Sequence, residues 1–147
     1  ALKGLTSELQ ADVAFHGYQS GDDLLDLVRH ARAVVLPSEW YENAPLSVME
    51  SYALGKPVIG ANIGGLPELI RDGETGGIFE SGSVEDLTGL LRRFMDAPDE
   101  DLETMGRRGR AWMEKEFTAG KYRERLLRLY QEIGGPTLSE QSSGWPS

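Results

Sequence analysis

Two short apolar runs separated by a helix-length segment constrain this chain more than any other feature. Ala33-Val34-Val35-Leu36 is the first run and Pro57-Val58-Ile59-Gly60-Ala61 the second. Pro45 marks a helix start between them, because the first turn has no internal partner for a missing N–H and the ring presets φ. Gly55 can take the left-handed position that ends a helix at no steric cost, and Pro57 forbids continuation. The segment therefore predicts a helix over 45–54. Strands joined by a helical crossover run parallel.

The same alternation extends in both directions. Asp12 to His16 reads as a short buried strand that Gly17 ends. Leu24, Leu25, Leu27 and Val28 form a helical stripe within 22–32. Gly64-Gly65 opens a turn into a short helix over 67–71, and Gly77-Ile78-Phe79 reads as a last, weak strand. Ser83 caps a further helix with Asp86 at its third position, and Leu87, Leu90, Leu91 and Phe94 form its inner face. Asp101 to Ile133 reads as helical and charge-laced, while Leu2, Leu5 and Leu9 look like the tail of another helix. The expected fold is α/β, a Rossmann-like parallel sheet with flanking helices. The expected domain covers 1–134, and Gly, Ser and Pro enrichment predicts a disordered tail over 135–147.

Glu42 and Glu50 bracket the start of the central helix. The free amides there, near Asn43 to Ser47, carry partial positive charge and can hold a phosphate. Glu50 lies about 7.5 Å inside that end at 1.5 Å per residue. One acid can face a sugar ring and the other a ribose, with phosphates between them. On spacing alone the pair reads first as two solvated helix charges, since acids are favoured near helix amino ends in any case.

Context shifts that balance. Leu36-Pro37-Ser38-Glu39-Trp40-Tyr41-Glu42-Asn43-Ala44-Pro45-Leu46 is followed by Glu50 and by Ala53-Leu54-Gly55-Lys56-Pro57-Val58-Ile59. Gly64-Gly65-Leu66-Pro67-Glu68-Leu69-Ile70 and Asp72-Gly73-Glu74-Thr75-Gly76 come next, then Met105-Gly106 and the stretch from Phe117 to Tyr130. In this order the segments resemble the retaining glycosyltransferases of family four, whose GT-B architecture pairs two Rossmann-like domains. The resemblance runs from Val13 to Ile133.

The resemblance implies a catalytic role for Glu42, beside the reacting centre of the donor sugar. It implies that Glu50 binds the ribose hydroxyls. It also implies that Asn43, Ala44, Pro45, Leu46 and Ser47 lie against the sugar and diphosphate of a UDP- or GDP-linked donor. Pro45 offers no N–H, so Ala44, Leu46 and Ser47 are the expected amide donors. Many relatives carry an aromatic residue and a glycine where Ala44 and Pro45 stand, and Ser51 replaces a common alanine. Gly17 and Tyr18 are expected to line the nucleotide pocket, since ligands gather at strand carboxyl ends. His16 beside them reads as a packed histidine.

A complete domain of this kind would place two strand–helix units before the strand at Val13. They would carry an Arg/Lys clamp for the diphosphate, and an amino-terminal domain would take a carbohydrate or lipid-linked acceptor. The chain thus reads as an N-terminally truncated part of a longer enzyme, inactive alone. Its unpaired strand edges are expected to invite self-association.

Bulk properties exclude other classes. A formal net charge of −9 argues against nucleic acid or an anionic membrane as the main partner. With no cysteine there is no disulfide framework and no thiolate metal site. No apolar stretch is long enough to span a bilayer and no secretory signal is present, so the expected place is the cytoplasm, with peripheral contact at the inner membrane through the absent domain. No cofactor or metal is expected. Asp99-Glu100-Asp101 spells a metal-binding D-x-D, but after Pro98 it reads as the solvated acidic start of a helix.

Other candidates divide similarly. Gly64-Gly65 lets backbone approach the donor or simply makes the turn. Trp40 and Tyr41 stack on a ligand or anchor their loop. His30 complements a helix dipole, Lys56 caps the preceding helix, and Arg107, Arg108 and Arg110 form a solvated face. A response-regulator receiver would need a phosphorylatable Asp after a central strand, where Pro37-Ser38 stands instead. A non-catalytic nucleotide-sugar-binding module and a GT-B sugar-nucleotide epimerase are the alternatives.

Overall fold

Hydrogen bonding along Val58–Ala61 organises the chain in the computed structural model, which describes residues 2–134. This strand, β2, pairs in parallel with β1 (Val34–Leu36) on one side and with β3 (Gly76–Phe79) on the other. Val58 lies opposite Val34 and Gly76, which fixes the register of all three. Every residue of β2 is buried. Successive side chains of a strand point to opposite faces, so both faces of the sheet are covered. The helices are α1 (Leu2–Glu8), α2 (Gly21–His30), α3 (Leu46–Ala53), α4 (Leu66–Leu69), α5 (Val84–Asp96), α6 (Asp99–Glu116) and α7 (Ala119–Glu132). Among them none is long and apolar enough to cross a membrane.

Local chemistry accounts for the ends of these elements. Pro45 stands one position outside α3 as its N-cap, with φ −64° and ψ 114°. At the other end Gly55 adopts φ 70°. Its N–H donates to the Tyr52 carbonyl at 2.9 Å and the Lys56 N–H to the Ser51 carbonyl at 2.9 Å, the paired bonds of a Schellman stop. Lys56 thus caps α3 through its backbone amide. Ser83 accepts the Asp86 N–H at 3.2 Å, as its spacing predicts. Leu90 and Phe94 enter the core, with Leu87 and Leu91 packed at its margin. The long helical stretch breaks at Phe117-Thr118, where the Thr118 side chain accepts the Lys121 N–H at 3.2 Å and starts a separate helix.

One predicted strand does not form. Asp12 to His16 forms no strand, and Val13 and Phe15 are 49% and 44% exposed. A strand needs a ladder partner to satisfy its backbone groups. Here β1 ends the sheet on that side, and the Val13 N–H reaches only the Ala11 carbonyl, at 3.0 Å. His16 is accordingly exposed rather than packed. Residues 135–147, read from sequence as a disordered tail, lie outside the described residues.

The two sheet edges differ. The outer edge of β1 is open, with Val35 36% exposed. Along β3 the Ile78 N–H donates to Asp72 Oδ1 at 3.0 Å and the Glu80 N–H to Asp86 Oδ2 at 2.6 Å. Two carboxylates therefore occupy donors that a further strand would use.

Tyr52 ties α3 to the rest. It is 2% exposed, and its hydroxyl lies 2.7 Å from Thr75 Oγ1 and 3.1 Å from the Leu69 carbonyl. Thr75 Oγ1 also accepts the Arg71 N–H at 3.0 Å. Trp112 of α6 meets the Tyr52 ring edge-on with centroids 6.4 Å apart. Burial pushes the Tyr52 phenol up from 10.0 to about 12, against smaller opposing effects of Thr75 and Arg71. Because the folded value is raised, this stability is complete below pH 10.0 and is lost as pH rises through about 12. Tyr52→Phe strands the Leu69 carbonyl and should cost ~1–3 kcal/mol in urea unfolding at neutral pH. It should also remove the Tyr52 share of the decline between pH 10.0 and about 12.

Candidate functional site

The loops leaving the carboxyl ends of β1, β2 and β3 meet at one edge of the sheet. The first carries Glu42, the second Gly64-Gly65 and the third Ser81. The Gly65 N–H donates to the Glu42 carbonyl at 2.7 Å. Gly64 has φ 58°, and a side chain there would press to 2.7 Å from the Glu42 carbonyl oxygen. A Cβ on Gly65 would overlap the Asn43 carbonyl. The glycine pair is therefore the bed on which the Glu42-Asn43 backbone lies, a third outcome beyond the two that the sequence offered.

The Glu42 side chain is exposed and accepts a hydrogen bond from Ser38 Oγ at 3.1 Å. Ser38 Oγ is also 3.3 Å from the Trp40 carbonyl, and its own carbonyl accepts from Ser81 Oγ at 3.2 Å. Ser38 and Ser81 were not singled out from sequence. The serine four residues before the acid was a visible signal, but the contact with Ser81 spans 43 positions and no local pattern encodes it.

The other predicted residues fall on or beside α3. Val48, Ser51 and Tyr52 form its buried face. Glu50 is exposed and stands one turn above Leu46 on the outer face. Asn43 and Ala44 are exposed, Pro45 is buried and Ser47 is half-buried. The Val48 N–H donates to the Pro45 carbonyl at 3.1 Å. Among the described residues the Leu46 and Ser47 N–H groups meet no backbone acceptor. No Lys or Arg occurs between Leu36 and Glu50. An anion at this end would therefore meet peptide hydrogens rather than side-chain cations of the same segment.

Gly17 and Tyr18 directly follow the segment that fails to pair. Gly17 has φ 67° and Tyr18 is 92% exposed. Among the described residues no hydrogen bond joins either of them to the Glu42 loop. Trp40 and Tyr41 are 81% and 86% exposed, so they do not anchor the loop to the core. A cleft of about 200 Å³ lies at the opposite, amino end of the strands, lined by Ala31, Arg32, Gly55, Lys56, Pro57 and Leu102. It belongs to the base of the fold and shares no residue with the glutamate loop.

A parallel sheet with flanking helices, whose carboxyl-edge loops gather acids and glycine-bedded backbone, defines a Rossmann-like domain. Comparison with known proteins narrows that class. The profile of the glycosyl transferases group 1 family matches residues 3–112, and the chain belongs to that family. It is 39% identical over 94 residues to a D-inositol 3-phosphate glycosyltransferase of Streptomyces griseus, covering 64% of this chain and 20% of that protein. Its fold matches a sucrose-phosphate synthase from Thermosynechococcus elongatus with a TM-score of 0.74 at 27% identity, over 90% of this chain and 33% of the other. The Anabaena protein HepE, solved in complex with UDP and glucose, shares the fold with a TM-score of 0.74 at 20% identity, over 89% of this chain and 35% of the other. The chain thus spans about a fifth of that curated relative and a third of these solved chains. The fold is part of the carboxyl-terminal, Rossmann-like half of the GT-B architecture.

The glycine bed can be tested directly. Gly65→Ala should displace the Glu42-Asn43 backbone and lower stability by ~1–3 kcal/mol, the usual cost of forced overpacking. Amide chemical shifts of residues 41–47 should move while those of α5 stay in place. A variant whose loop signals are unchanged would show that the close approach is not present in solution.

Proposed function

We propose that this chain is the donor-binding domain of a retaining glycosyltransferase that moves a sugar from a UDP- or GDP-linked donor to a carbohydrate or lipid-linked acceptor. One observation carries the proposal. The unbonded Leu46 and Ser47 amides at the start of α3 lie between an acid just outside that helix end and an acid inside it, at the carboxyl edge of a parallel sheet. Family membership and the UDP and glucose named for the HepE complex support it.

The donor diphosphate accepts hydrogen bonds from the Leu46 and Ser47 amides, assisted by the helix dipole. Glu50 accepts from the ribose hydroxyls. Glu42 orients the sugar and favours positive character at its anomeric carbon. As the bond from that carbon to the phosphate oxygen breaks, negative charge grows on the departing diphosphate, where preorganised amides stabilise it most. An acceptor hydroxyl attacks from the leaving-group face, its proton passing to the phosphate oxygen, and configuration is retained. The acceptor is held by a separate domain of the full-length enzyme.

Glu42→Gln in the full-length enzyme should cut turnover about a hundredfold or more, with donor affinity within about threefold because the loss falls on the transition state. Unchanged turnover would remove Glu42 from the reaction. Glu50→Ala should instead weaken UDP-sugar binding about tenfold or more, the worth of hydrogen bonds to a charged group. Calorimetric titration with UDP-glucose and GDP-mannose distinguishes the two effects and the two bases.

A further inference from the structure

We propose that Ser38 is a positioning residue for Glu42, its hydroxyl aiming the carboxylate at the sugar while Ser81 and Gly65 fix the frame around it. What Glu42 acts on rests on the function proposed above; how it is held rests on the geometry alone.

An exposed glutamate on a loop has side-chain torsions that nothing restrains unless a partner does. Catalysis at a fixed carbon gains only from a carboxylate that is held in place. Among the described residues the Ser38 hydroxyl is the side-chain partner of Glu42, at 3.1 Å from Oε1. That hydroxyl has a single proton and two acceptors within reach. The ionised carboxylate is closer than the Trp40 carbonyl at 3.3 Å and is the stronger acceptor, so the proton goes to Glu42. Oε2 is left for the substrate.

The neutrality of this donor matters. A lysine or arginine in its place would orient the carboxylate but cancel the charge that favours a positive anomeric carbon. Ser38 orients it and leaves that charge in place. The frame is tied from three loops. Gly65 after β2 holds the Glu42 carbonyl at 2.7 Å, and Ser81 after β3 holds the Ser38 carbonyl at 3.2 Å. Ser38 itself follows β1. Main chain and side chain of Glu42 are therefore referred to all three strands of the sheet.

In the full-length enzyme, Ser38→Ala should lower kcat about tenfold to a hundredfold, the cost of a small misplacement. Donor KM should stay within about twofold, because ground-state binding does not depend on this contact. The thermal midpoint should not move. Ser38→Thr keeps the hydroxyl and should restore most of kcat. Ser81→Ala should lower kcat in the same direction by a smaller factor. In the 147-residue chain, the side-chain carboxyl carbon resonance of Glu42 should shift in Ser38→Ala and return in Ser38→Thr. That measurement needs no donor. Should neither UDP nor GDP bind the wild type, the proposed function fails, while the resonance still decides whether Ser38 holds Glu42. An unaltered kcat or a resonance indifferent to Ser38→Ala overturns the proposal. So does a kcat loss that follows the thermal midpoint and is not restored by threonine.

Discussion

The Tyr52 hydroxyl is the contact on which the geometry of this domain depends. A buried phenol is costly unless it is hydrogen-bonded, and here it is shared between Thr75, just before β3, and the carbonyl that ends α4. Its ring is held on the other side by Trp112, over which Arg71 stacks at 4.4 Å. Among the described residues no buried side-chain polar atom lacks a partner. With one face of α3 fixed so firmly, its opposite face, where Leu46 and Glu50 stand, is presented to solvent. The Leu46 and Ser47 amides lack an acceptor because the first turn of a helix has none of its own.

The edge of the sheet where these groups gather is acidic and lacks side-chain cations of its own loop. The donors that serve Glu42 are neutral: a serine hydroxyl for its carboxylate and a glycine N–H for its carbonyl. Such dipoles order a charge without cancelling it. In a chain with a net charge of −9, long-range steering would work against any anionic ligand, so its attraction would have to be local.

Much of this was legible in the sequence, because the signals were local. Gly55 and Pro57 end α3, Ser83 starts α5, and the apolar runs at 34–36 and 58–61 are strands as their composition predicts. What failed was non-local. Asp12–His16 has a strand's composition, but pairing is a property of two segments, and among the described residues no strand pairs with it. The Gly64-Gly65 pair announced a close approach, yet not that the approaching backbone is that of Glu42. Ser81 gave no sign at all, since its partner is 43 residues away. Glu42 and its loop could be found by motif, whereas the residues that hold them had to be seen in three dimensions.

The carboxylates of Asp72 and Asp86 make the sheet a one-sided template. With the outer edge of β3 closed to newcomers by these two carboxylates and β1 bare, an added strand would enter next to Val35. Growth of the sheet, whether from the same polypeptide or from a neighbour, therefore has a direction. It leaves undisturbed the flank where β3 and α5 meet.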